Sequence, residues 1–98
     1  MDINKNRNGE TLEIALTGRL DTTTAPSLDE VIKSDLDGVS SLVFNLSDLE
    51  YISSAGLRVL LSAQKVMNKQ GQMVVRNVKD DIMEVFDITG FADILTVE

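Results

Sequence analysis

The stretch that most constrains the fold of this chain is Leu42 to Met67, LVFNLSDLEYISSAGLRVLLSAQKVM. Its first part, Leu42 to Leu46, carries no charge and is rich in Val, Phe and Leu, which is typical of a buried parallel strand. A polar segment follows, and from about Ala55 apolar residues recur at helical spacing. These residues are Leu57, Leu60, Leu61 and Met67, with Val59, Ala63 and Val66 widening the apolar face. The stretch therefore predicts a buried strand, a polar turn and an amphipathic helix.

Two serines, Ser53 and Ser54, stand at the junction between this strand and this helix. Either hydroxyl could cap the helix by accepting a hydrogen bond from an unpaired N–H group of the first turn. Gly56 places no side chain beside them, and the start of a helix favours negative charge. Two interpretations stay open: a helix cap with a glycine for close packing, or a functional site that is a phosphate acceptor or a docking point.

The length, net charge and residue composition of the chain exclude several kinds of function. The 98 residues predict one domain over residues 1–98, and a net charge of −7 argues against nucleic acid or anionic membranes as partners, so a protein partner is expected. The chain has no cysteine and no histidine, which excludes thiolate and imidazole metal sites and a Ser–His–Asp triad. It also lacks a P-loop and a nucleophile elbow. We therefore expect no catalytic residue, no metal and no cofactor.

The same sequence predicts a cytoplasmic location. No apolar run approaches the roughly 20 residues that cross a bilayer, and Met1 to Lys5 lacks the form of a secretory signal. Neither membrane insertion nor secretion is expected.

The remaining segments predict a mixed sheet backed by helices. Asp2 to Arg7 is a short edge strand, Asn8-Gly9 is a hairpin turn, and Thr11 to Thr17 is a strand that Gly18 ends. Pro26 marks the start of a helix that stops at Gly38. Later elements are a strand at Met73–Arg76, a helix at Asp80–Ile88 and a last strand at Asp93–Val97. The order β-β-α-β-α-β-α-β predicts an α/β domain whose sheet is mostly parallel, with an antiparallel first strand.

Short polar side chains also cluster at Asp21-Thr22-Thr23-Thr24, just before Pro26. They could simply cap the helix that follows. They could equally form a polar loop at the carboxyl end of a strand, where α/β sheets place their binding surfaces. Both interpretations are kept.

With this organisation, the whole chain resembles the STAS domain family, specifically the bacterial anti-sigma-factor antagonists. Four motifs in order carry the resemblance: Gly18-Arg19-Leu20-Asp21, Asn45-Leu46-Ser47-Asp48-Leu49-Glu50-Tyr51-Ile52, Ser54-x-Gly56-Leu57, and Phe86-Asp87-Ile88-Thr89-Gly90-Phe91. The resemblance implies a small STAS-like domain with a serine that is phosphorylated by an anti-sigma factor acting as a kinase.

The family pattern carries over residue by residue. The acceptor lies two positions before the glycine, which is Ser54, and the loop aspartate beside it is Asp21. Well-known members have Asp before the acceptor and Ser or Thr after it, whereas this chain has Ser53 and Ala55, so Ser53 is a second candidate acceptor. The partner-binding residues implied are Asp21, Thr22, Thr23, Ser53, Ser54, Gly56 and Leu57.

The resemblance implies a partner switch. The unphosphorylated protein would bind the anti-sigma factor and free the sigma factor, and a serine phosphatase would reset the switch. The alternative is a STAS scaffold subunit, never phosphorylated, in a larger assembly such as a lipid-transport ABC system. A small-ligand sensor is the third possible function.

Overall fold

A computed structural model describes residues 1–98 and shows one mixed four-stranded sheet. The strands are β1 (Asp2–Asn8), β2 (Thr11–Leu20), β3 (Ser41–Ile52) and β4 (Gln72–Arg76), side by side in that order. β1 is antiparallel to β2, and the other two pairings are parallel. The predicted α/β class and the antiparallel first strand are confirmed.

Three α-helices connect and follow the strands: α1 (Ala25–Asp35), α2 (Ser54–Gln70) and α3 (Asp80–Thr89), with a short 3₁₀ helix at Phe91–Asp93. Because each parallel crossover moves one strand further in the same direction, α1 and α2 pack on the same face of the sheet. No helix in the protein is both long and apolar enough to cross a membrane.

The core lies between that face and the helices. Alternate strand residues point into it, including Ile14, Leu16 and Phe44, each at most 1% exposed. Phe86 of α3 is fully buried in the same cluster. Val43 alternates with Leu42 and Phe44 on β3, so it points to the opposite face of the sheet and lies outside the core cluster.

Three predicted strand boundaries are wrong, for identifiable reasons, and the helix predicted to stop at Gly38 already ends at Asp35. β2 does not end at Gly18, because Gly18 adopts φ +98° within an irregular stretch and the strand continues to Leu20. β3 runs on to Ile52, because buried Leu49 and Ile52 keep the polar segment against the core. The last strand is reduced to a single parallel bridge between Val75 and Val97.

Candidate functional site

The two segments singled out from the sequence meet at one edge of the sheet. β2 and β3 end side by side, with Leu20 paired to Ile52. The next residue, Ser53, donates its backbone N–H to the carbonyl of Leu20 at 2.9 Å. Because this bond joins the two strand ends, the loop that begins at Asp21 lies next to the start of α2.

The two serines at this corner have different roles. Ser53 is the N-cap of α2: its backbone is extended, and its hydroxyl accepts a long hydrogen bond of 3.4 Å from the N–H of Gly56. Its carbonyl accepts from the N–H of Leu57 at 3.0 Å. Ser54 is the first helical residue, its side chain is exposed, and its hydroxyl forms no hydrogen bond within the chain. The capping role therefore belongs to Ser53, and the free hydroxyl belongs to Ser54.

Gly56 is required by space. A Cβ atom at this position would lie 2.7 Å from Cγ of Leu20 and 2.9 Å from Cγ1 of Ile52. Both distances are well below ordinary van der Waals contact. The glycine thus lets the first turn of α2 pack directly on the ends of β2 and β3, which holds both serines at the rim.

Asp21 organises the neighbouring loop through one carboxylate oxygen. Its Oδ1 accepts hydrogen bonds from the Thr23 hydroxyl at 2.7 Å, the Thr23 N–H at 3.0 Å and the Thr24 N–H at 3.2 Å. The Thr23 hydroxyl is the main cause that holds the pKa of Asp21 below its ordinary value of 3.8, against a smaller opposing effect of desolvation. Thr24 occupies the N-cap position of α1 without a capping bond from its side chain. The predicted side-chain cap of α1 is therefore not formed: the Asp21 carboxylate orders the turn before the helix, and only its backbone carbonyl accepts from the N–H of Ala25, at 2.8 Å. The loop does follow the carboxyl end of β2, as the second interpretation predicted.

A cation and an aromatic ring border this loop at the ends of β2 and β3. The guanidinium carbon of Arg19 lies 4.2 Å from the ring centre of Tyr51, and its Nε lies 3.7 Å from Oδ2 of Asp21. Tyr51 is 42% exposed, so its ring lies on the surface. Sequence reasoning did not find this contact, because the register shift after Gly18 decides that Arg19 faces Tyr51.

A shallow groove of about 310 Å³ lies on the other side of the corner, between the N-terminal parts of α1 and α2. Its walls include Thr22 and Pro26 from the α1 side and Ala55, Arg58 and Ser62 from the α2 side. Arg58 was not predicted as a site residue. Its position one helical turn after Ser54 is the signal that could have found it.

The structure separates the predicted site residues by accessibility. Thr22, Thr23 and Ser54 are exposed, and Asp21 and Ser53 are partly buried. Gly56 is buried and Leu57 is only 5% exposed within the core. Their side of the helix faces the sheet, so these two residues shape the corner and do not present side chains to a partner.

Comparison with known proteins assigns the family. The STAS domain profile matches residues 2–98. The chain therefore belongs to the STAS domain family. Its relatives include anti-sigma-factor antagonists.

Two relatives illustrate the range of similarity. The protein BtrV of Bordetella bronchiseptica is 39% identical over 84 residues, which are 84% of this chain and 72% of BtrV. The anti-sigma-B factor antagonist of Bacillus subtilis is 30% identical over 98 residues, covering 99% of this chain and 88% of that protein.

The fold is also that of the anti-sigma factor antagonist SpoIIAA. Its unphosphorylated form superposes with a TM-score of 0.79 at 19% identity, over 99% of this chain and 87% of SpoIIAA. SpoIIAA, a Bacillus cell fate determinant, is also known in a phosphorylated form, which gives a TM-score of 0.78 at 19% identity over 99% of this chain and 91% of that structure. At this level of identity the likeness concerns the fold.

Proposed function

We propose that this protein is an anti-sigma-factor antagonist that works as a phosphorylation switch in the cytoplasm. Unphosphorylated, the Ser54 corner and the Asp21 loop bind an anti-sigma factor with serine kinase activity, which then releases its sigma factor. Phosphorylation of Ser54 blocks that binding, and a serine phosphatase reverses it. The observation that carries the proposal is the exposed hydroxyl of Ser54, free of internal hydrogen bonds and held on a rigid strand–helix corner.

The fold tolerates a phosphate at this position. A phosphoserine carries about −1.5 to −2 charges at neutral pH. Ser54 lies at the N-terminal end of α2, where the helix dipole favours negative charge, and the first turn holds no acidic residue to oppose it. The phosphorylated domain should therefore keep its structure, and the switch should act at the surface.

The complex with the anti-sigma factor, in contrast, does not tolerate a phosphate on Ser54. Asp21 follows the end of β2, which the bond from Ser53 to Leu20 joins to the start of α2, and hydrogen bonds from Thr23 lower its pKa, so the same corner carries a carboxylate. A partner surface fitted to that carboxylate and to a neutral hydroxyl would have to desolvate an additional dianion. Leaving such a charge unmatched in an interface costs several kcal/mol, and about 1.4 kcal/mol is already tenfold in affinity. Blocked docking is sufficient, without any change of fold.

The acceptor assignment is tested with purified protein, the serine-kinase anti-sigma factor from the same genome, and ATP. We expect one added phosphate in the intact mass, mapped by peptide sequencing to Ser54. Ser54→Ala should abolish it, whereas the matched variant Ser53→Ala should be phosphorylated, because the Ser53 hydroxyl serves as the cap. Phosphate transfer to Ser54→Ala at the rate of the natural chain would reject the assignment in favour of Ser53.

The charge-block mechanism is tested by binding. Ser54→Asp should lose at least about tenfold in affinity for the anti-sigma factor, while Ser54→Ala should bind as the natural chain does. Equal affinity of Ser54→Asp and the natural chain would reject the mechanism. A stable complex with a transporter ATPase, unaffected by ATP, would instead favour the scaffold role.

A further inference from the structure

Charge is distributed very unevenly along this chain. From Tyr51 to Lys79 there is no aspartate or glutamate, but there are five basic residues. The remaining residues carry all sixteen carboxylates and only four basic side chains. Helix α2 lies wholly inside the basic segment, so a strongly acidic protein contains one helix without an acidic residue.

The basic residues of α2 lie on one line along its outer surface. Arg58, Lys65 and Lys69 are seven and four residues apart, which places them on the same face of a helix. Ser54 and Ser62 fall on the same face, one turn before and one turn after Arg58. All five side chains, three basic and two serine, are exposed. We call this row the basic stripe; its members are Ser54, Arg58, Ser62, Lys65 and Lys69. With a rise of about 1.5 Å per residue the basic stripe is about 22 Å long.

No carboxylate of the chain balances these cations. The four ion pairs of the structure involve Lys5, Arg19, Lys33 and Arg76. Asp29, which lines the groove together with Arg58, is paired with Lys33 at 2.9 Å. The three cations of the basic stripe thus have no acidic partner within the molecule.

Folding does not explain this arrangement. Lys65 and Lys69 form a like-charge pair four residues apart, which weakens a helix slightly, and Arg58 stands near the N-terminal end, where the helix dipole disfavours a cation. The dipole favours Lys69, which lies in the last turn, but a glutamate would suit the first turns at least as well as Arg58 does. The basic stripe is therefore explained better by something that binds it.

We propose that the basic stripe docks on an acidic surface of the protein partner, the anti-sigma factor of the proposed function, on which this inference rests. Charge complementarity identifies the partner's chemistry: a cluster of aspartates and glutamates about as long as the stripe. A nucleic acid fits less well, because its charge continues far beyond the stripe and would meet the acidic remainder of the domain.

This placement gives the phosphate a second effect. Ser54 is the first residue of the basic stripe and lies one turn from Arg58, whose long side chain leans back toward the N-terminus. A dianion at Ser54 would neutralise much of the charge of the stripe. It would also meet the acidic partner surface directly, so that phosphorylation opposes docking on both counts.

The test measures affinity of the full chain for the anti-sigma factor at about 50 mM and about 500 mM NaCl. The variant is Lys65→Glu with Lys69→Glu, and the matched control is Arg76→Glu with Lys79→Glu, which makes the same change in charge away from α2. We expect the stripe variant to lose about tenfold or more at low salt and much less at high salt, with the control within about twofold. Unfolding curves check that both variants keep their stability.

The outcomes separate this inference from the proposed function. If Ser54→Asp blocks binding but the stripe variant binds as the natural chain does, the docking inference is overturned and the switch stands. If the stripe variant fails and Ser54→Asp binds normally, the docking surface stands and the switch falls. No binding by the natural chain overturns both. Retention of a dT20 oligonucleotide by the natural chain and not by the stripe variant would reassign the surface to nucleic acid.

Discussion

Replacing Gly56 with alanine should destabilise the domain, although alanine is the better helix former. The added Cβ would lie 2.7 Å and 3.0 Å from Cγ and Cδ2 of Leu20 and 2.9 Å from Cγ1 of Ile52. Both residues are buried, so they cannot swing into solvent. Overpacking of this kind costs about 1–3 kcal/mol, while the gain in helix propensity is at most about 1 kcal/mol. Because the Cβ would make three contacts of 3.0 Å or less at once, the upper part of the overpacking range, about 2–3 kcal/mol, applies, and the net loss is about 1–2 kcal/mol.

Thermal unfolding followed by circular dichroism measures this loss. For a domain of this size each kcal/mol lowers Tm by about 4–8 °C, so Gly56→Ala should unfold about 4–16 °C earlier. The matched control is Ala55→Gly at the neighbouring half-buried position, which changes helix propensity without the overlap and should cost at most about 1 kcal/mol. A Tm for Gly56→Ala at or above that of the natural chain would refute the packing argument.

A double-mutant cycle identifies the atoms responsible. Leu20→Ala alone should cost about 2–5 kcal/mol, because Leu20 is fully buried. Combined with Gly56→Ala it should cost less than the sum, by about 1 kcal/mol, since the new methyl occupies space that the leucine leaves. The rescue is partial because Ile52 stays in place. Strict additivity of the two changes would show that Leu20 is not the obstacle.

Three further substitutions test other parts of the structure. Gly71→Ala should cost about 3 kcal/mol in urea unfolding, because its Cβ would overlap the backbone carbonyl of Ser40; a loss below about 1 kcal/mol would contradict this. Asp21→Asn should make the free energy of unfolding less dependent on pH under acidic conditions. The folded pKa of Asp21 lies below 3.8, so the ionised carboxylate stabilises the domain above that pH, and this stabilisation is lost as pH falls through the folded pKa. Unfolding at pH 2.5 to 6 measures it, and identical pH profiles would refute it. Ser53→Ala should cost about 0.5–1 kcal/mol, at the low end for a cap because its bond is 3.4 Å long, and a loss above about 2 kcal/mol would indicate another role.

The sequence predicts the regular parts of this fold well because their patterns are simple. Alternation in Thr11 to Thr17 and helical spacing after Ala55 correspond to a half-buried strand and to α2. The irregular parts are not predictable in the same way. The polar run Ser47-Asp48 resembles a turn, but parallel pairing with β2 holds it in β3, and pairing is a property of two distant segments.

In the candidate site too, features that depend on local sequence were predicted, and features that depend on the pairing of distant segments were not. The position of Ser54 at the start of α2 depends on local sequence and was predicted to within one residue. The contact between Arg19 and Tyr51 depends on an irregular register and was missed. Leu57 was predicted to bind the partner, but it is buried. Membership of a family motif does not distinguish a residue that contacts a partner from one that supports the site.

The backbone bond between Ser53 and Leu20 has a consequence for timing. In the proposed switch, the phosphorylated and unphosphorylated forms would share one backbone, because that bond and the close packing of Gly56 join the corner to the sheet. Neither phosphorylation nor dephosphorylation at this corner would then require a slow rearrangement of the domain. The speed of the proposed switch would then be set by the kinase and the phosphatase, and by the lifetime of the complex with the partner.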